Sequence, residues 1–134
     1  MNPTFLVLGA VFTGVAALIH FFIFALESVL WSRPSTWRRF GVRSQEDAEV
    51  LRPMAYNQGF YNVFLALGAS ISIVMISVPE LAQAGMALAI FTLLSMLLAS
   101  IVLVASNPRL LRAALLQGLA PLLGIVFLVL ALTV

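Results

Sequence analysis

One histidine and one carboxylate stand inside otherwise apolar stretches of this chain. His20 and Glu27 are seven positions apart, which on a helix puts them on nearly the same face and roughly 10 Å apart along it. Thr13 extends that stripe. An imidazole whose unperturbed pKa lies near neutrality, aligned with a carboxylate, is a pairing suited to proton transfer. Further along, Asn57, Gln58, Tyr61 and Asn62 follow an i, i+1, i+4, i+5 pattern and form one polar helix face. Gln117 stands next to Gly118 and four residues before Pro121. A proline frees the carbonyl of residue i−4, so main chain and side chain of Gln117 would both present polar groups to one place.

The elements that hold these residues follow from composition. The chain has 134 residues, 63% hydrophobic and only 9% charged, with no cysteine. A chain this small must leave roughly a third of its surface against solvent, so that solvent has to be lipid. A soluble globular domain is excluded. Nucleic acid is not an expected partner, because the net charge of +2 reflects few charges, not a basic surface. A hydrocarbon core about 30 Å thick needs roughly 20 apolar residues per helix. Four such windows occur, at about Thr4 to Leu30, Met54 to Val78, Leu81 to Ala105 and Arg109 to Thr133. The expected architecture is an all-α, integral membrane four-helix bundle in a single membrane domain, 1–134, with a loop over 31–53.

Arginine placement orients the bundle. Arg33, Arg38, Arg39, Arg43 and Arg52 lie between spans one and two, and Arg109 and Arg112 open span four. Both places fall on one side of a four-span protein, so the arginine loops are expected in the cytoplasm and both termini outside. Trp31 and Trp37 flank the loop where an interfacial aromatic belt would stand. Ser44, followed by Glu46 and Asp47, reads as a capped helix start. A short amphipathic helix over about Gln45 to Leu51 is expected on the cytoplasmic surface. Arg52 and Pro53 either separate it from span two or kink one continuous helix. Asn107 and Pro108 read as N-cap and first helical residue of the last span.

Depth sorts the polar residues into two layers. At 1.5 Å per residue, Asn62 and Gln117 lie roughly 12 Å from the arginine side and His20 roughly 16 Å, whereas Glu27, Asn57 and Gln58 lie at about 5 Å. The expectation is a cup open to the cytoplasm, with Glu27, Asn57, Gln58 and Tyr61 at its mouth and His20, Asn62 and Gln117 at its floor. Each residue also has a plain structural use. The amides would fix helix register by interhelical hydrogen bonds, Glu27 would pair with Arg33 or Arg52, and His20 would bond a backbone carbonyl. Span three offers only Thr92, Ser95 and Ser100 and reads as scaffold. Small-residue spacings such as Gly9 to Thr13 and Ala114 to Gly118 signal close packing and leave room for a homo-oligomer.

His20 with Leu26-Glu27 and Trp31, then Asn57-Gln58-Gly59-Phe60-Tyr61-Asn62, then Gln117-Gly118 with Ala120-Pro121, resembles the small membrane family catalogued as domain of unknown function 1304. The resemblance covers almost the whole chain, and the Asn-Gln-Gly-x-Tyr-Asn element is its most specific part. It implies a four-helix bacterial protein of the inner (plasma) membrane. Some members carry an epimerase label, which implies no mechanism.

Two function classes lead from these residues. One is binding or transport of a small molecule or lipid in the cup, with protonation of His20 and Glu27 coupled to its entry. The other is an intramembrane isomerase or epimerase using His20 and Glu27 as acid and base; their 10 Å separation weighs against it. A structural or accessory subunit is a third reading. Haem through His20 comes last, since one histidine supplies one axial ligand. His20 and Glu27 alone are too few donors for a metal site.

Overall fold

Asn2 opens the first helix by accepting hydrogen bonds from the amides of Thr4 and Phe5 at 3.1 and 3.4 Å, with Pro3 at the first helical position. In this computed structural model, which describes residues 1–133, α1 (Pro3–Phe24) continues into a π-helical turn over Ala25–Val29. A short helix α2 (Pro34–Trp37) and a 3-10 turn (Arg38–Phe40) follow. The long helices α3 (Gln45–Ile76), α4 (Ala82–Ser106) and α5 (Leu111–Thr133) complete the chain. All regular structure among the described residues is helical. Four segments, Pro3–Val29, Gln45–Ile76, Pro79–Ser106 and Pro108–Thr133, are long and apolar enough to cross a bilayer. The protein is a small multi-pass membrane protein.

The four long helices pack in the cyclic order α1, α3, α4, α5. Each touches its two neighbours, and α1 scarcely meets α4 across the diagonal. Alternating helix direction puts the α1–α3 and α4–α5 connections, with all the arginines, at one end. At the other end the amide of Asn2 donates to the carbonyl of Ala131 at 2.9 Å, joining the beginning of α1 to the end of α5. The main core is built from small and flexible side chains: Ala16, Ala17, Ala66, Ala69 and Ala89 with Leu93, Met96 and Leu128. Helices meet closely in lipid when the interface is small, because van der Waals packing replaces the hydrophobic drive. Gly9 accepts the side chain of Leu128, and a Cβ on Gly85 would lie 2.7 Å from the backbone nitrogen of Ile76.

Two sequence expectations resolve differently in the structure. The residues around Gln45 to Leu51 do not form a separate surface helix; they are the first turns of α3, which runs unbroken through Pro53. Ser44 caps it by accepting from the amide of Asp47 at 3.0 Å. At 1.5 Å per residue this 32-residue helix is about 48 Å long, so its first turns project beyond a 30 Å hydrocarbon layer. The second difference concerns the tryptophans. Trp31 and Trp37 are only 7% and 3% exposed and do not form a lipid-facing belt. They pack with Ala48, Ala55, Phe40, Val42 and Leu51 into a second core beneath the arginine loop. Trp31 Nε1 donates to the carbonyl of Ala48 at 2.9 Å, while Arg38 stands 5.2 Å from the Trp37 ring centre. Through Ala48, Leu51 and Ala55 this core packs against the first turns of α3, on both sides of Pro53 in the sequence. Gly41, at φ 79°, makes the left-handed turn that ends the 3-10 turn Arg38–Phe40.

Candidate functional site

The π-helical turn decides the local geometry at the arginine end. The amide of Leu30 donates to the carbonyl of Ala25 at 2.9 Å, five residues back, so the helix widens around Glu27 and Ser28. Such turns within α-helices occur frequently at functional sites. The widening carries Ser28 onto α3, where its hydroxyl donates to the carbonyl of Tyr56 at 2.9 Å. Gly59 makes this contact feasible. A Cβ there would collide with the Ser28 hydroxyl and stand 3.1 Å from its backbone nitrogen. The glycine of the Asn-Gln-Gly-x-Tyr-Asn element is therefore the seat of the π turn.

With α1 and α3 in contact, Asn62 Nδ2 donates to Glu27 Oε2 at 2.8 Å and to the carbonyl of Gln58 at 3.1 Å. Both amide hydrogens are used, so Asn62 is fixed between its own helix and the carboxylate. Among the described residues Glu27 has no arginine within ion-pair distance; the pair found is Arg52 with Glu49 at 3.8 Å, on the surface of α3. The plain alternative of a Glu27 pair with Arg33 or Arg52 is absent from this structure.

Glu27, Gln58, Tyr61, Asn62 and Gln117 line one cavity of about 530 Å³ at the arginine end of the bundle. Phe22, Leu26, Leu65, Leu103 and Leu116 supply apolar walls. Volume and mixed lining fall within the range of small-molecule sites. Two residues expected in the cup stand outside its lining. Asn57 is exposed on α3, on a different side of the helix from Asn62. His20 is 1% exposed, with its Nδ1 2.8 Å from the carbonyl of Ala16. A carbonyl can only accept, so Nδ1 carries the proton and donates. His20 thus makes the backbone bond that was its plain structural reading. The same-face relation drawn from a seven-residue spacing assumes a uniform α-helix, and Glu27 sits where the helix is not uniform.

The structure adds residues the sequence did not single out. Arg39 and Phe40 come over the cavity from the α2 loop, and Ala99, Val102, Leu103 and Ser106 face it from α4. The apolar members carry no chemical signal, and in the sequence the orientation of the bundle by itself accounts for Arg39. The hydroxyls of α4 are engaged locally: Thr92, Ser95 and Ser100 donate to carbonyls three or four residues back on their own helix. Gly118, beside Gln117, receives Ser100: a Cβ there would stand 2.9 Å from the serine Cβ. Its small size serves helix packing. Pro121 is fully buried inside α5, which continues through it to Thr133.

Chemically, the site offers a carboxylate held by one amide, a guanidinium, two further amides and a phenol, above an apolar interior. No group of three His, Cys, Asp or Glu side chains capable of holding a metal occurs among the described residues. No curated protein and no solved structure matches the chain. A family model described as "Protein of unknown function (DUF1304)" does match, over residues 14–129, which takes in the π turn, the α3 amide face and Gln117. On that match, across most of its length, the chain belongs to this family.

Proposed function

We propose that the protein binds a small amphiphilic molecule in the cavity at its arginine end, with that end facing the cytoplasm of a bacterial inner membrane. The observation that carries this reading is one cavity of about 530 Å³ with its polar groups contributed by α1, α3, α5 and the α2 loop over walls of leucine, valine and phenylalanine. A ligand with a polar head and an apolar body satisfies both parts of such a lining. Arginine placement supports the orientation.

Binding is favoured over transport because the helices beyond the cavity close on a core of fully buried Ala16, Ala66, Ala69, Ala89, Leu93 and Leu128. The isomerase reading requires His20 and Glu27 about one substrate, and only Glu27 lines the cavity. Native mass spectrometry of protein purified in mild detergent, with a visible spectrum of the same sample, tests the proposal. A retained small molecule or lipid is expected on the wild-type protein and lost from Ala113→Phe, which places a ring in the cavity. Equal retention by the two proteins would overturn it, as would a colourless protein that takes up none of the amphiphiles offered to it.

A further inference from the structure

The cavity contains two opposite formal charges that do not satisfy each other. Glu27 and Arg39 both line it, yet no Glu27–Arg39 pair lies within ion-pair distance. Glu27 is half-buried, and its hydrogen-bond donor is the neutral amide of Asn62, on one carboxylate oxygen. The other oxygen has no donor among the described residues. A carboxylate removed from bulk water and held by one neutral donor lacks most of its usual solvation, and a cationic donor is what restores it. Arg39, exposed on the 3-10 turn after α2, lines the same space, and its guanidinium is a planar fork of the kind that matches a phosphate or carboxylate. Asn62 cannot supply more, because both its amide hydrogens are committed.

We infer that the ligand headgroup is zwitterionic, a primary ammonium on Glu27 and an oxyanion on Arg39, with Gln58 and Gln117 within the same lining and the apolar chain among the leucines. This deepens the amphiphile reading and rests on it. The geometry distinguishes ammonium types: a primary ammonium donates hydrogen bonds to a carboxylate, whereas a trimethylated one has no N–H and excludes the oxygen by its bulk. Phosphatidylethanolamine has the required chemistry, and so does free aminoethyl phosphate.

The test is titration of wild-type protein in detergent micelles with four probes, followed by native mass spectrometry. They are short-chain phosphatidylethanolamine, phosphatidylcholine and phosphatidylglycerol with identical chains, and aminoethyl phosphate. Phosphatidylethanolamine is expected to bind about tenfold or more tightly than the choline and glycerol lipids, the effect of one charge-assisted hydrogen bond. Glu27→Gln should abolish that preference, and Arg39→Gln should weaken all three phospholipids alike. Aminoethyl phosphate binding as tightly as its lipid supports the headgroup assignment with a soluble source; much weaker binding supports it with a lipid source. Equal binding of all three lipids would overturn the headgroup assignment and leave the amphiphile reading standing. Binding of none would overturn both. The lipid panel on wild-type protein keeps the assignment falsifiable should either variant fail to fold.

Discussion

The two ends of the bundle are made from the same four helices, yet glycines close different seams at each. Toward the termini, Gly9 brings α1 against α5 and Gly85 brings α4 against the end of α3. Toward the arginines, Gly59 brings α1 against α3 and Gly118 brings α5 against α4. The helices thus pair one way at the top and the other way at the bottom. At the terminal end a core of alanine, leucine and methionine fills the interior. At the arginine end the α1–α3 pair and the α4–α5 pair face each other across the cavity. Where the smallest residues stand decides which seams shut, and the remaining space becomes a site. Glu27, Gln58, Asn62 and Gln117, which would be costly in a packed core, line that space, whereas His20 is packed with its Nδ1 on the Ala16 carbonyl.

The contrast is most open to breakage by truncating one leucine from each region. Leu93 is fully buried between the helices, whereas Leu103 is half-buried and already faces the cavity. Leu93→Ala should cost about 2 to 4 kcal/mol, because the void it leaves has lost its packing partners on every side. Leu103→Ala should cost under about 1 kcal/mol, since part of its surface has no partner to lose. Equilibrium unfolding in mixed micelles measures both, and equal losses would mean that the arginine end is packed like the rest.

A smaller effect sharpens the role of the π turn. Gly59→Ala should destabilise by about 1 to 3 kcal/mol, as the new methyl group forces Ser28 from its bond to Tyr56. Gly14→Ala is the control. Its Cβ would meet only the tip of Ile73 at 3.7 Å, and replacing a helical glycine should be neutral or stabilise by up to about 1 kcal/mol. A Gly59→Ala protein as stable as the control would show that the π turn tolerates displacement from α3.

The smallest expected change concerns ligand retention. His20 belongs to the packed interior, so His20→Asn should alter binding by less than about twofold, as expected for a site sharing no partner with the ligand. Glu27→Gln should lower retention of the ammonium lipid about tenfold. A large effect of His20→Asn in the same native mass spectra would bring back the proton-coupled pair.

Much of the fold was legible because each signal is local. The window from Leu81 to Ala105 needs no tertiary information to be recognised as a span, and Asn107 with Pro108 marks the entry to the last one: the side chain of Asn107 accepts from the amide of Arg109 at 3.2 Å. Gln58, Tyr61, Asn62 and Gln117 could be grouped by helical phase and depth alone, as the polar faces of regular helices. Glu27 was grouped with them by depth, and His20 was joined to Glu27 by phase. The second step does not bring the two into one site, because the helices close around His20, which bonds the Ala16 carbonyl, while Glu27 lines the cavity. In the sequence Arg39 carries only a topological signal, since a loop's path over a cavity depends on what packs beneath it.

Composition and period by themselves determined that this chain has four helices apolar enough to lie in a membrane and that polarity concentrates toward the arginines. Those are properties of single segments in their solvent, set by transfer free energies and by 3.6 residues per turn. Only the tertiary structure decided that Trp31 and Trp37 turn inward, that α3 is one continuous helix through Pro53, that His20 is sealed away, and that Glu27 and Arg39 share a cavity. Each of these depends on a contact between distant segments, and such contacts are settled by which side chains are small enough to let two backbones meet.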